Sequence, residues 1–275
     1  MTGTDKYWDL IVVGLGDLGS RVADECHKNG LNVLGIRRQK TSMPYATQAL
    51  DIHSEQLEIL NLKCRCLLFS VAADSRTDES YQKTYLSGLK RVLTWIKADT
   101  VINISSTRVF APTTEYWITE DSPRNPADTG GEILSQAAAL LQTGSCNLYL
   151  GGIYGPGRNR LITMAKQGYW CQPGNKTNRI HIADAVGISC HLINMAANNR
   201  FLPSSIMGVD GQAADQANVL SWLRNELSTP ANKEHEIKVT SSGKRCKSIE
   251  LDNLGYRFIY PDFEHGYKSI LDLEE

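Results

Sequence analysis

The stretch VVGLGDLGSRVADE (residues 12–25) closes a short apolar run and opens a helix-type one. Leu10-Ile11-Val12-Val13 is wholly apolar, as expected of a parallel strand covered on both faces. Gly14, Gly16 and Gly19 follow at once. Between a strand and a helix this spacing reads as a dinucleotide loop. Gly14 permits the tight turn, Gly16 lets a pyrophosphate approach the backbone, and Gly19 lets helix and strand pack closely. Asp17 and Leu18 open the helix, whose free N–H groups and dipole favour an anion.

Outward from this loop, apolar strands and amphipathic helices alternate. A helix over 18–29 ends at Gly30, and a strand follows over Asn32 to Ile36. Leu57 to Leu60 and Arg65 to Val71 are further strand candidates. Tyr85, Leu89, Val92, Leu93 and Ile96 recur at helical spacing and predict a helix over 81–97. Val101 to Ser105 reads as a strand. A helix then starts at a capping box made by Thr129 and Glu132. Asn147 to Leu150 and Arg179 to Ile182 are strands; 184–197 and 215–227 are helices, with Asp184 expected to cap the first of these. The C-terminal 45 residues are polar with short apolar patches.

This alternation predicts an α/β fold, a doubly wound parallel sheet of Rossmann type. Residues 1–150, taking in about 178–210, form the dinucleotide-binding domain. Residues 151–177 and 211–275 make a small C-terminal substrate-side lobe.

The end of the second strand selects the dinucleotide. An acid there, about 20 residues past the loop, would grip the ribose 2′-hydroxyl of NAD. This chain has Gly35-Ile36-Arg37-Arg38 and no acid until Asp51. Arg37 and Arg38 suit a 2′-phosphate, so NADP is expected rather than NAD; two solvated arginines are the bland alternative.

Formal net charge is −1, which gives no broad pull toward nucleic acid or an anionic membrane. Seven scattered cysteines fit a reducing compartment, and Cys64-Arg65-Cys66 reads as apolar filler, so no metal site is expected. No secretory leader pattern opens the chain, and Cys66 to Ala73 is too short to span a bilayer. A cytoplasmic protein with a small-molecule substrate is expected.

Four more stretches carry a family likeness: FSVAAD (69–74), NISSTRVFAP (103–112), GGIYGPGR (151–158) and RIHIADAV (179–186). With the glycine loop, in this order, the chain resembles the extended short-chain dehydrogenase/reductase superfamily in its NAD-dependent epimerase/dehydratase branch. The likeness is strongest to small atypical members of the YeeZ type. It implies that Val71, Ala72, Ala73 and Ser105 line the cofactor, and that Ser106 faces the substrate. It also implies that Thr107 is the catalytic hydroxyl. The family's Tyr-x-x-x-Lys pair falls on Gly130 and Leu134, neither of which can transfer a proton or bind the nicotinamide ribose.

Substitutes are few. Tyr154 lies in the loop that approaches the nicotinamide in the family, and is either an acid or a packing aromatic. Tyr116 precedes the helix, and Glu132 is better explained as a cap. Arg158 and His181 are candidate substrate contacts, with Arg160 beside them; a solvated loop and a core hydrogen bond are their alternatives. Two functions stay open. One is an oxidoreductase or epimerase/dehydratase with unconventional acid–base groups acting on a small carbonyl or sugar-type substrate. The other is a catalytically inactive NADP-binding regulator or redox sensor. A homodimer through the helices at 81–97 and 130–142 is expected by analogy with the superfamily.

Overall fold

The strand carrying the apolar run Leu10–Val13 takes an interior place in the sheet. In the computed structural model, which describes residues 7–54 and 62–273, β1 (Tyr7–Val13) pairs in parallel with β2 (Val33–Arg37) and with β4 (Leu62–Phe69). Val13 thereby faces Ile36 on one side and Phe69 on the other. Leu10, Ile11 and Val12 are fully buried, as two covered faces require. β3 (Ala46–Ala49) adds beyond β2, and β5 (Ile96–Ser106) beyond β4. The parallel seven-stranded sheet runs Ser205–Gly208, Cys146–Leu150, β5, β4, β1, β2, β3. Its winding reverses between β1 and β4. In such sheets a ligand crevice opens at that point, past the carboxyl ends of the strands.

The chain divides into two compact units. The first comprises Met1–Val109, Arg124–Tyr149 and Val186–Ile206. Its main core joins Ile11, Phe69, Leu89, Trp95, Ile133 and Ala137. The second comprises Phe110–Pro123, Leu150–Ala185 and Met207–Glu275. There the helices Arg160–Lys166, Gln216–Glu226 and Phe263–Leu271 pack Ile162, Leu223 and Ile270 around Tyr154 and Tyr267.

Several expected boundaries move. The helix expected over 81–97 is helical over Asp78–Tyr81, π-helical over Gln82–Gly88 and α-helical over Leu89–Trp95. Ile96 and Lys97 already belong to β5, paired with Leu62 and Lys63, because a sheet partner outweighs local helix preference. β4 starts at Leu62 rather than Arg65, while the strand candidate at 57–60 lies outside the described residues. Asp128, not Thr129, caps the helix Thr129–Ala138, its carboxylate accepting from the Gly131 N–H. Asp184 is no cap either. It lies in the first turn of Ile182–Ala197 and accepts from the N–H groups of Ile259 and Tyr260 at 2.8 and 2.9 Å. The polar tail contains the helix Phe263–Leu271, capped by Asp262.

Candidate cofactor and active site

At the end of β1 the three glycines meet three different needs. Gly14 has φ +98°, and a Cβ on it would stand 2.5 Å from the Ser70 carbonyl oxygen at the end of β4. A Cβ on Gly19 would stand 2.0 Å from the Gly14 carbonyl oxygen, so the first helix, α1 (Asp17–Lys28), lies directly on the turn. A Cβ on Gly16 would meet nothing within 4 Å. Gly16 is also the N-cap of α1 and places no side chain over its first N–H groups. Asp17 is drawn aside by Arg21 at 2.7 Å, which keeps its charge from dominating the helix start. An exposed glycine and an uncapped twelve-residue helix form a cradle that fits a pyrophosphate.

The ends of β2 and β4 come next to this turn. Arg37 ends β2, partly exposed, and makes no ion pair among the described residues. Arg38 is engaged: both its terminal nitrogens donate to the Asp74 carboxylate at 2.8 Å. That guanidinium holds the Asp74 carboxyl below its ordinary range. Beyond β4, the Ala73 N–H donates to the Tyr85 hydroxyl at 3.2 Å, which fixes the turn carrying Val71, Ala72 and Ala73.

Past β5 the chain makes a 3-10 turn over Thr107–Val109. Ser105 is buried, and its hydroxyl makes no hydrogen bond among the described residues. Ser106 Oγ accepts from the Arg108 N–H, and Thr107 is buried at the start of the turn. A buried amide relay fixes the next helix against this strand: Asn103 donates to Asn147, and Asn147 donates to the Ala138 carbonyl, at 2.9 and 3.1 Å.

Gly130 and Leu134 stand where the resemblance leads one to expect a Tyr and a Lys. Leu134 is a core residue, 4% exposed. At Gly130, a Cβ would stand 2.6 Å from Cζ of Arg108 and 2.7 and 2.8 Å from its terminal nitrogens. The Arg108 guanidinium thus fills the space a side chain at 130 would enter. Its Nε donates to both Asp128 oxygens at 3.0 and 3.1 Å, and its plane lies over the Tyr81 ring at 4.9 Å. Partial burial acts against the charge, but Asp128 and Tyr81 outweigh it and raise the guanidinium pKa. Sequence reading missed Arg108. Its only sequence signal was the Gly130-Gly131 pair, which permits the approach.

The remaining candidates belong to the second unit. Tyr154 is buried, stacks at 4.4 Å on Tyr267 and donates to the Asp262 carbonyl at 3.3 Å. Burial pushes its hydroxyl far above the ordinary tyrosine value. His181 packs against Tyr154 and Tyr260 at 5.3 and 4.0 Å, and Nδ1 accepts from the Ala183 N–H. Arg158 closes the Gly155 turn through its N–H, and Arg160 opens a helix. Asp210 is 2% exposed; one oxygen accepts from the Gln212 N–H and the other has no partner among the described residues. Burial, only partly offset by Arg179, pushes its carboxyl up to about 7.

Among the described residues no group of three potential metal ligands forms, and no helix is long and apolar enough to cross a membrane.

A family model, the NAD binding domain of 6-phosphogluconate dehydrogenase, matches residues 9–116. No curated protein matches by sequence. Among solved structures, the chain is similar to one from Methylobacillus flagellatus described as a candidate NAD-dependent epimerase/dehydratase. Identity is 28% and the TM-score 0.82, over 97% of this chain and 98% of that one. A human epimerase family protein, SDR39U1, solved with NADPH, gives 16% and 0.75 over 96% and 99%. The Helicobacter pylori ADP-L-glycero-D-manno-heptose-6-epimerase gives 16% and 0.75 over 98% and 96%. The last two likenesses speak to the fold.

Proposed function

We propose that the chain is a member of the extended short-chain dehydrogenase/reductase superfamily, in its epimerase/dehydratase branch, and within it an NADP-preferring oxidoreductase acting on a small carbonyl or sugar-type substrate. One observation carries the cofactor choice. Arg37 ends β2 with no ion pair among the described residues, no acid follows in sequence before Asp51, and the Asp74 carboxylate near this strand end is already held by Arg38. A guanidinium there pairs with a 2′-phosphate through charge-assisted hydrogen bonds. Arg38 contributes less, because its fork is already held by Asp74.

The residues fit the cofactor through the open Gly16 face, the α1 N–H groups and the turn at Val71 to Ala73. Bound there, the nicotinamide supplies or accepts a hydride. Thr107, at the end of β5, orients the substrate oxygen. Tyr154 serves the core of its own unit, because its hydroxyl is buried and committed to the Asp262 carbonyl. Water or a substrate group supplies the proton.

Fluorescence titration with NADPH and NADH tests the cofactor reading. Wild type binds NADPH more tightly, and Arg37→Ala abolishes the preference; equal affinity in both proteins overturns it. The buried Leu134 favours a second reading, in which the protein binds NADP without turnover. A panel of aldehydes and ketones separates the two. Oxidation of NADPH that fails in Thr107→Ala supports the enzyme, and no oxidation with any compound supports the sensor.

A further inference from the structure

The geometry points to Arg108 as the residue that holds an anionic group of the substrate, a carboxylate or a phosphate, at the place where its superfamily keeps a tyrosine. This rests on the reading of the β5 end as the substrate-handling end of the first unit. The guanidinium is fixed from three directions. Asp128 takes Nε at 3.0 and 3.1 Å, the Tyr81 ring lies 4.9 Å beneath Cζ, and Gly130 brings the helix backbone against it. Asp128 is fixed in turn, since it also caps the helix through the Gly131 N–H at 2.7 Å.

Both contacts to Asp128 use Nε, and neither terminal nitrogen donates to a carboxylate among the described residues. A bidentate partner needs two parallel N–H donors, and the Nη1–Nη2 edge provides them. The side chain is 35% exposed, so the fork is both held and reachable. A guanidinium oriented in advance loses little freedom on binding an anion, which is what makes such a contact selective. Three residues upstream, the buried Ser105 hydroxyl adds further unused hydrogen-bonding capacity.

The glycine beside it makes an unusually clean test possible. The three atoms nearest a methyl group at 130 would all belong to the far end of the flexible Arg108 side chain, so Gly130→Ala is expected to move the guanidinium, with the melting temperature reporting on the fold. The experiment loads wild type, Gly130→Ala, Arg108→Gln and Arg108→Lys with NADPH and titrates each with oxalate and with inorganic phosphate, following the cofactor's fluorescence and the melting temperature. Wild type binds one or both probes; oxalate alone marks a carboxylate substrate, phosphate alone a phosphorylated one. Arg108→Gln and Gly130→Ala bind about tenfold or more weakly, and Arg108→Lys keeps charge but loses most of the affinity. NADPH affinity stays the same in all four. Probe binding equal in all four proteins, or absent from wild type, overturns the proposal. So does a loss of NADPH affinity in Arg108→Gln, because the fork would then serve the cofactor. Failure of NADPH to bind wild type at all would instead strike the cofactor reading above.

Discussion

Gly16 and Gly130 both lie at the start of a helix in the first unit, and both lack a side chain where one would project. Around Gly16 the space is empty to 4 Å, and the helix cap is bare. Around Gly130 the space is taken by the chain's own Arg108, and the cap is an aspartate already engaged with it. The first site is shaped for a ligand that brings its own negative charge. At the second, the chain's own guanidinium fills the space and brings a positive charge. Both positions lack a side chain, and only the atoms around them tell an open cradle from a filled space.

The comparison can be broken most severely at Gly19, the residue that sets α1 against the Gly14 turn. Gly19→Ala places a methyl 2.0 Å from a backbone carbonyl and is expected to cost about 3 kcal/mol or more in urea unfolding, with NADPH binding lost. Gly131→Ala is next. Its methyl would stand 2.7 Å from the Arg108 carbonyl and from the Pro126 ring, at an expected cost of about 2 kcal/mol in the same assay. Arg37→Ala sharpens the cradle side: NADPH affinity falls by about 1.5–2 kcal/mol in the fluorescence titration, NADH affinity hardly changes, and stability stays constant. The smallest effect is expected at Gly130. Gly130→Ala changes unfolding stability by less than about 1 kcal/mol, since the helix-forming gain of alanine is set against the displaced, half-exposed Arg108–Asp128 pair. A large loss there would mean that Arg108 cannot move aside, and that the space is core rather than site.

Much of the first unit was legible in the sequence. The apolar run at Leu10–Val13, the spaced glycines and the alternation of elements pointed to the doubly wound parallel sheet, because they are local signals with one physical reading, while the strand order came only with the structure. The misses lie where a partner distant in sequence decides. Ala46–Ala49 is a strand because β2 pairs with it, although ATQA is neither apolar nor β-branched throughout. Ile96 to Lys97 leave the helix because Leu62 and Lys63 claim them. Asp128 displaces Thr129 as cap because Arg108 holds its carboxylate in place. Arg108 itself looked like an interchangeable position within S-S-T-R-V-F. Its place becomes visible only when the helix start and the strand end are brought together. Tyr154 shows the converse, since a motif drew attention to a hydroxyl, left open as acid or packing aromatic, that the second unit buries against Gly266 and the Asp262 carbonyl.

Asp210, deep in the second unit, carries one more consequence. With its carboxyl raised to about 7 from an ordinary 3.8, the folded unit keeps a proton that the unfolded chain has already released. Folding of this unit therefore takes up about one proton between roughly pH 4 and 7. The contribution is intact at the acid end of that window, is lost steadily as the pH rises through it, and levels off above about 7. Acidification, which weakens most folded proteins by protonating their paired carboxylates, is at this one residue a stabilising influence.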